Sequence, residues 1–283
     1  MSVEARNGLP PEGATLGELL RVPGLPALEA RMLAQHVLGL GAAHLIAHPE
    51  QVVSGEALAR LREAQRRRLE GEPLAYITGE REFHGLVLRV GPDVLIPRPE
   101  TELLVDLALQ SLPADRPLRV LDLGTGSGAI AVALASNRPA WSVHAVDKSA
   151  GALALADANA GRHGARVRFI QSDWFAALDG ERFDLVISNP PYVAHDDPHL
   201  EQGDLRYEPR MALDGGSGGF GCIRRISREA RRHLVPGGRL MFEHGHDQAA
   251  RTRILLRELG YEDVGSREDL AGIDRVTFGR MPG

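Results

Sequence analysis

Residues 120–130 read Val-Leu-Asp-Leu-Gly-Thr-Gly-Ser-Gly-Ala-Ile. Their apolar start predicts a buried strand and the small residues at 129–136 predict a helix, so the glycines lie in the turn between them. Such a turn lets a ligand approach bare backbone at the start of a helix. After a further predicted strand at 141–146 comes Asp147, about 20 residues past the glycines, where a carboxylate accepts hydrogen bonds from ribose hydroxyls. These features predict the nucleoside-binding half of a doubly wound α/β sheet.

Predicted strands alternate with helices from Glu100 onward, which indicates a mostly parallel sheet with helices on both faces. The predicted strands lie at residues 118–123, 141–146, 167–171, 183–188 and 239–243. Two further strands, at 260–264 and 275–278, are close together near the C-terminus.

The N-terminal part has a different pattern. Residues 16–70 show no strand pattern, and apolar residues recur at helical spacing between Leu28 and Leu40, while Ser54 is placed to cap a second helix. We therefore expect a small helical domain at residues 1–80. Short β-favouring segments at 83–90 and 94–96, around Gly91-Pro92-Asp93, predict a β-hairpin linker at 81–98, which leaves 99–283 as the α/β domain.

Composition narrows the class of protein. The 283 residues, 43% of them hydrophobic, suffice to bury two cores. Residues 1–15 are polar, and no apolar stretch approaches the roughly 18 residues of a membrane span, so we expect a cytoplasmic protein without a membrane partner. The single cysteine, Cys222, excludes an internal disulfide. The net charge of −5 argues against binding along a nucleic acid backbone, and we interpret the basic cluster Arg66-Arg67-Arg68 as a solvated helix face.

The predicted strand at 183–188 runs into the turn Asn189-Pro190-Pro191-Tyr192. Proline fixes its own φ and has no N–H, so the two prolines hold the turn extended and leave the Pro190 carbonyl free. The side-chain oxygen of Asn189 is a second acceptor. Two fixed acceptors suit a planar –NH2 group, and the turn therefore predicts chemistry on a planar nitrogen. The alternative is a turn in which the prolines only end the strand.

The glycine turn alone does not identify the ligand, because Gly124, Gly126 and Ala129 also fit the dinucleotide fingerprint of nicotinamide enzymes. Asp122, the pair Asp173-Trp174 after the third strand and the Asn-Pro-Pro-Tyr turn favour S-adenosylmethionine. The combination resembles class I methyltransferases that act on amide or exocyclic amino nitrogens. This resemblance implies a donor site in which the glycine turn wraps the amino acid end, Asp147 holds the ribose, and Asp173 and Trp174 border the adenine. The cofactor-binding residues implied are Gly124, Thr125, Gly126, Ser127, Gly128, Asp147, Asp173, Trp174 and Asn189.

Longer segments resemble the release-factor glutamine methyltransferase (HemK/PrmC) family. They lie at residues 96–105, 207–216 and 269–276, with shorter matches at 71–77 and 171–175. The resemblance runs from about Leu16 to Gly279. It implies a Rossmann-like sheet with an antiparallel last strand, and a helical N-terminal domain for substrate recognition. It also implies methylation of the glutamine side-chain amide in the Gly-Gly-Gln motif of class 1 peptide chain release factors.

For methylation of a glutamine amide we infer roles for five residues. Asn189 and Pro190 would grip both N–H groups of the substrate amide, and Tyr192 would pack on the amide plane. We therefore expect Asn189, Pro190 and Tyr192 to be catalytic, with Pro191 and Arg98 completing the substrate site. Two alternative functions remain open: a DNA or RNA exocyclic-amine methyltransferase, and a non-catalytic cofactor-binding interaction protein.

Two places depart from the family pattern, His84 and residues 217–221. We expect both to affect release-factor docking without touching the predicted donor or amide contacts. Two interpretations also stay open at several side chains. Asp122 contacts the donor or is a hydrogen-bonded strand-end carboxylate, Arg98 and Glu100 shape the peptide channel or attach the linker to the sheet, and Trp174 borders the adenine or fills the core.

Two histidine pairs imitate metal sites, but we expect no metal at either. Pro198 argues against a helix that would bring His195 and His199 together, so we expect them to line the substrate loop. His244 and His246 follow a predicted strand without a third ligand, which favours a structural role.

Overall fold

The computed structural model describes residues 13–283, so most of the polar segment 1–15 lies outside the described residues. The chain divides into two compact units, one ending at Gly79 and one spanning Glu80–Gly283. Within residues 13–283, no helix combines the length and apolar character that crossing a bilayer requires.

The smaller unit is helical, as its sequence pattern predicts. Its helices are α1 (Leu16–Leu19), α2 (Ala27–Leu38), α3 (Ala42–Ala47), α4 (Gly55–Leu69) and α5 (Leu74–Thr78). Leu33, Leu45 and Leu61 are fully buried at its centre. Thr15 and Glu18 form a reciprocal capping box at the start of α1. Ser54 occupies the N-cap of α4 but makes no side-chain cap hydrogen bond.

The basic cluster Arg66-Arg67-Arg68 lies in the last turn of α4 and is ion-paired. Arg66 contacts Glu63 and Glu70, and Arg67 contacts Glu72. Arg68 contacts Glu29 of α2 at 2.5 Å. The last pair is partly buried and ties two helices together, so the cluster is more than the solvated face that its sequence suggested.

The larger unit begins with an antiparallel hairpin, β1 (Glu80–Phe83) and β2 (Leu86–Arg89). The sequence-based prediction placed the turn of this hairpin wrongly, at Gly91-Pro92-Asp93. The chain turns instead at His84 and Gly85, with φ values of 51° and 75°. Two successive left-handed residues are what a two-residue hairpin needs, and histidine at the first position concealed this turn. Residues 94–96 form no strand.

The remaining elements alternate along the chain. The strands are β3 (Arg119–Leu123), β4 (Ser142–Asp147), β5 (Val167–Gln171), β6 (Phe183–Ser188), β7 (Leu234–Glu243), β8 (Glu262–Glu268) and β9 (Asp274–Arg280). The helices are α6 (Glu102–Ser111), α7 (Ala129–Asn137), α8 (Ala150–His163), α9 (Arg210–Leu213), α10 (Gly221–His233) and α11 (Ala249–Glu258).

The seven strands form one sheet in the order β5-β4-β3-β6-β7-β9-β8. Strands β3 to β7 are parallel, and β9 is antiparallel to both of its neighbours, as predicted. The strand order reverses between β3 and β6, where Leu123 pairs with Ser188. Ligands of doubly wound folds bind at this reversal, beyond the carboxyl ends of the strands.

Each face of the sheet is covered by helices. On one face Val120, Leu185 and Ile187 pack with α6 and α7. On the other, Leu121 and Val186 pack with α10 and α11. Residues 129–135 of α7 are all buried, which fixes this helix and the glycine turn before it against the sheet.

Candidate active site

The ends of β3, β4 and β6 border a cavity of about 430 Å³. Nine of the predicted site residues line it, and four others, Arg98, Gly128, Pro190 and Tyr192, do not. The lining residues are Gly124, Thr125, Gly126, Ser127, Asp147, Asp173, Trp174, Asn189 and Pro191. The fold therefore brings the glycine turn, the polar residues at the end of β4 and directly after β5, and the proline turn around one space.

The glycine turn is built on left-handed backbone. Gly124 has φ +69°, and a Cβ there would lie 3.5 Å from the Trp174 ring. Gly128 has φ +83° and precedes α7, where a Cβ would lie only 3.0 Å from that of Ala156. The last glycine thus allows α7 and α8 to pack closely, which explains why it does not line the cavity.

Asp147 ends β4 beside the turn. One carboxylate oxygen accepts the Gly126 N–H at 2.9 Å, and the other accepts the Ser149 N–H at 2.9 Å. A carboxylate offers about four acceptor positions, so both oxygens can still accept a hydroxyl. This free capacity, on a residue that lines the cavity, fits the two vicinal hydroxyls of a ribose.

Asp173 and Trp174 follow β5. The Asp173 carboxylate contacts Arg225 at 2.8 Å and Lys148 at 3.6 Å. Trp174 has φ +57°, and its ring both lines the cavity and packs partly buried against the core of one sheet face. It therefore unites the two interpretations of the sequence, as a cavity wall and as core.

Asp122 is fully buried and does not line the cavity. It accepts the Thr125 hydroxyl at 2.7 Å. Burial raises the pKa of Asp122 to about 7, against the opposing effect of that hydrogen bond. Of the two interpretations, the geometry supports the strand-end carboxylate that fixes the glycine turn.

The proline turn presents two acceptors. The Asn189 side-chain NH2 donates to the Thr101 hydroxyl at 3.0 Å. Within residues 13–283, neither the Asn189 side-chain oxygen nor the Pro190 carbonyl oxygen accepts a hydrogen bond. The Tyr192 hydroxyl donates to Glu243 at 3.0 Å, and burial beside that carboxylate raises the pKa of Tyr192.

Thr101 and Glu243 were not predicted as site residues. The Thr101 hydroxyl donates to Glu243 at 2.6 Å, and burial raises the pKa of this carboxyl. The sequence could have indicated Glu243, because this residue ends an apolar strand and the carboxyl ends of parallel strands lie at one edge of the sheet. Ser188 pairs with Phe242, which puts Glu243 beside the residue that begins the proline turn.

Arg98 is paired with Glu208 rather than facing the cavity. Glu208 is almost fully buried and also accepts the Ile96 N–H at 3.0 Å. Burial raises the pKa of Glu208, and the Arg98 guanidinium opposes that shift. The contact attaches the segment before α6 to the loop before α9, which is closer to the attachment interpretation than to a peptide channel.

The segment 217–221 touches the proline turn, contrary to our expectation. A Cβ on Gly219 would lie 2.2 Å from the Tyr192 carbonyl oxygen. The Gln248 side chain donates to both Tyr192 and Gly219 carbonyls, at 3.0 and 3.2 Å. This contact could not be predicted from the sequence, because Gly219 and Tyr192 are far apart along the chain.

Three of the four histidines in the two pairs that imitate metal sites have polar partners, and the fourth, His246, is exposed. His195 contacts Asp214 at 2.5 Å, and His199 contacts Asp197 at 2.7 Å. His244 is fully buried, and its two ring nitrogens lie within hydrogen-bond distance of the Gly245 carbonyl and the Thr277 hydroxyl. The structural interpretation of His244 is the one that this geometry supports.

Comparison with known proteins gives the family. The family described as Methyltransferase small domain matches residues 101–203, and that described as PrmC N-terminal domain matches residues 18–79. The chain is 54% identical to the release factor glutamine methyltransferase of Bordetella pertussis, over 94% of this chain and 99% of that protein. It is 51% identical to the protein of the same name from Burkholderia pseudomallei, over 98% of this chain and 100% of that one.

A solved structure supports the fold. The crystal structure of a methyltransferase from Pyrococcus furiosus superposes with a TM-score of 0.55 at 20% identity, over 78% of this chain and 99% of that one. The identity to the two curated relatives extends over almost the whole of each protein. The chain therefore belongs to the release factor glutamine methyltransferase family.

Proposed function

We propose that this protein transfers a methyl group from S-adenosylmethionine to the side-chain amide nitrogen of the glutamine in the Gly-Gly-Gln motif of class 1 peptide chain release factors. The names of its full-length relatives support this substrate. The observation that carries the proposal is the free side-chain oxygen of Asn189, which lines the cavity directly after β6 and beside the glycine turn. The carbonyl oxygen of Pro190, the next residue, also accepts no hydrogen bond within residues 13–283 and is proposed as the second acceptor.

The donor site would use the glycine turn and the polar positions after β4 and β5. When bound, S-adenosylmethionine would supply an electrophilic methyl group on sulfur. The substrate nitrogen would bond to the methyl carbon in line with the C–S bond, which breaks and releases S-adenosylhomocysteine. Backbone around Gly124 and Gly126 would hold the amino acid end, and Asp147 would accept from the ribose hydroxyls. Asp173 and the Trp174 ring would border the adenine.

The substrate nitrogen is a poor nucleophile, because its lone pair is delocalised into the amide carbonyl. Asn189 and the Pro190 carbonyl would each accept one N–H, which fixes the plane of the amide and turns the nitrogen lone pair toward the methyl group. The same two oxygens would stabilise the positive character that develops on nitrogen. Placing two reactants in this way is worth about 7 to 11 kcal/mol, so positioning can supply most of the rate without a general base. The proton then leaves to water.

We propose that Tyr192 packs on the plane of the substrate amide, with its hydroxyl held by Glu243. Arg98 would act on the substrate only indirectly, through the loop that Glu208 attaches. The same proposal assigns recognition of the release factor to the helical domain at 1–80, with 81–98 as linker and 99–283 as the methyltransferase domain. A substrate that acts in translation leads us to infer a cytoplasmic enzyme.

A nucleic acid substrate is the alternative to test, because the α/β domain has a basic surface. Helix α10 exposes Arg224, Arg228, Arg231 and Arg232 to solvent. We expect no direct nucleic acid binding, since the net charge is −5 and Arg225 of the same helix is already paired with Glu229 and Asp173.

The deciding experiment measures transfer of a labelled methyl group from S-adenosylmethionine to an unmodified class 1 release factor. A Gly-Gly-Ala factor and duplex DNA serve as substrate controls, and the Asn189→Ala enzyme as the catalyst control. We expect label on the wild-type factor alone. Label on DNA, or equal label on both factors, would overturn the substrate assignment.

A further inference from the structure

A buried carboxylate lies behind the proline turn. Glu243, the last residue of β7, is 1% exposed and is not among the described residues that line the cavity. One of its oxygens accepts the Thr101 hydroxyl at 2.6 Å, and the other accepts the Tyr192 hydroxyl at 3.0 Å. Each oxygen therefore holds one hydroxyl from a different segment of the chain.

The first of these contacts decides what Thr101 can offer to Asn189. A hydroxyl has a single hydrogen, and an ionised carboxylate can only accept. Once Thr101 donates to Glu243, its oxygen can only accept from Asn189, which must then turn its NH2 group toward Thr101. This is the arrangement observed, with Asn189 Nδ2 3.0 Å from Thr101 Oγ1. The amide oxygen of Asn189 is thereby left as the free polar atom.

We propose that Glu243, acting through Thr101, fixes the orientation of the Asn189 amide and is a positioning residue for methyl transfer. This inference rests on the proposed function, in which the Asn189 oxygen accepts an N–H of the substrate. If Thr101 were released from Glu243, its hydroxyl could donate to the Asn189 oxygen. The amide would then present a donor to the donor groups of the substrate.

The environment of Glu243 argues against a purely structural purpose. Burial is the largest influence on the Glu243 carboxylate and raises its pKa, while the hydrogen bonds from Thr101 and Tyr192 oppose that shift and favour the ionised form. A buried ionised group is usually no more stabilising than an apolar side chain of the same volume. The carboxylate instead determines the direction of the hydrogen bonds, because an acceptor on this side of Thr101 makes Thr101 donate to it and accept from Asn189.

Thr101 provides the sharper test, because its substitutions separate the hydroxyl from the shape of the side chain. Thr101→Val should lower kcat for release-factor methylation by roughly 10²-fold, the usual loss when one stabilising contact of the transition state is removed. It should leave the dissociation constant for S-adenosylmethionine within about twofold. Thr101→Ser restores the hydroxyl and should recover most of kcat.

Thr252→Val is the matched control. Thr252 is buried like Thr101, and its hydroxyl likewise donates to a single acceptor, the Gln248 carbonyl at 2.8 Å, but unlike Thr101 it does not line the cavity. If the loss in Thr101→Val reflected only a missing buried hydroxyl, both valine variants would lose melting temperature and kcat in parallel. We expect kcat to fall in Thr101→Val alone.

A double-mutant cycle tests the role of Glu243. Glu243→Gln can accept only one of the two hydroxyls, so it should lower kcat in the wild-type background and change it little in the Thr101→Val background. Additive losses in the double mutant, or a wild-type kcat in Thr101→Val, would overturn the positioning role of Glu243. The proposed function would still stand in either case, provided that the wild-type enzyme methylates the release factor. An unlabelled factor with the wild-type enzyme would instead reject the proposed function itself.

Discussion

The Gly126 N–H donates to the Asp147 carboxylate at 2.9 Å, so the residue that we assign to the donor's ribose also holds the glycine turn in place. Asp147→Ala removes both the ribose acceptor and this support. Charge-assisted hydrogen bonds contribute about 1.5 to 3 kcal/mol each, so we expect S-adenosylmethionine to bind at least tenfold more weakly. Isothermal titration calorimetry measures the change.

Asp184→Ala is the matched control for that variant. Asp184 also accepts a backbone N–H, that of Arg119 at 2.8 Å, but the two residues lie where β6 and β3 begin, at the opposite ends of these strands from the cavity. The Asp184→Ala variant should be less stable than the wild type but should bind S-adenosylmethionine with unchanged affinity. A dissociation constant for Asp147→Ala equal to that of the control would remove Asp147 from the ribose role.

Asn189→Ala should abolish most methyl transfer, because the variant loses one of the two acceptors that hold the substrate amide. We expect kcat to fall by at least 10²-fold while donor affinity changes by less than tenfold, since the glycine turn is untouched. Asn137→Ala controls for the loss of an asparagine, because Asn137 lies at the end of α7 and its side chain, among the described residues, donates only to the Ala133 carbonyl. Turnover close to wild type in Asn189→Ala would refute the proposed mechanism.

Asp147→Ala and Asn189→Ala test the part of the site that could be predicted from local sequence. The strands at 167–171 and 183–188 have the predicted bounds, because each is a short β-favouring or apolar run between polar turns. The glycine and proline turns follow their strands directly, so their meeting at one sheet edge needed only the parallel arrangement. β7 was predicted from residue 239 but begins at Leu234, because the strand continues through Pro236-Gly237-Gly238 with a shift of register.

Contacts between distant segments could not be predicted in the same way. Thr101 and Glu243 are 142 residues apart in the sequence, and only the order β6-β7 and the position of the residues before α6 bring them together. Gly219 packs on Tyr192 by close backbone approach, which leaves no periodic pattern. The same limit applies to Arg98, whose partner Glu208 is 110 residues away.

Asp122 should make the stability of the protein depend on pH. Its pKa is about 7 in the folded state against an ordinary value of 3.8. Between these two values the folded state binds more protons than the unfolded state, so the free energy of unfolding falls as the pH rises from about 4 to 7. Asp122→Asn removes this group, and its stability should fall less over that range than that of the wild type.

Urea unfolding of both proteins at pH 5 and pH 8 measures the difference. Asp263→Asn is the control, because Asp263 is exposed and the Arg280 guanidinium lowers its pKa, so its titration lies below this pH window. Parallel pH dependence in the wild type and Asp122→Asn would show that Asp122 is ionised in both states throughout.

Gly219→Ala should damage the active site from outside the cavity. The new Cβ would lie 2.2 Å from the Tyr192 carbonyl oxygen, and Gly219 has φ +63°, which costs a residue with a Cβ about 1 to 2 kcal/mol in addition. Since the neighbouring atom is backbone, the proline turn must move, and we expect both the melting temperature and kcat to fall.

Gly161→Ala is the matched control on the exposed face of α8, where a Cβ meets no heavy atom within 4 Å. There alanine should stabilise the helix by about 0.5 to 1 kcal/mol and leave kcat unchanged. Wild-type kcat and melting temperature in Gly219→Ala would mean that the turn tolerates the displacement, and that its position is not set by the backbone of residues 217–221.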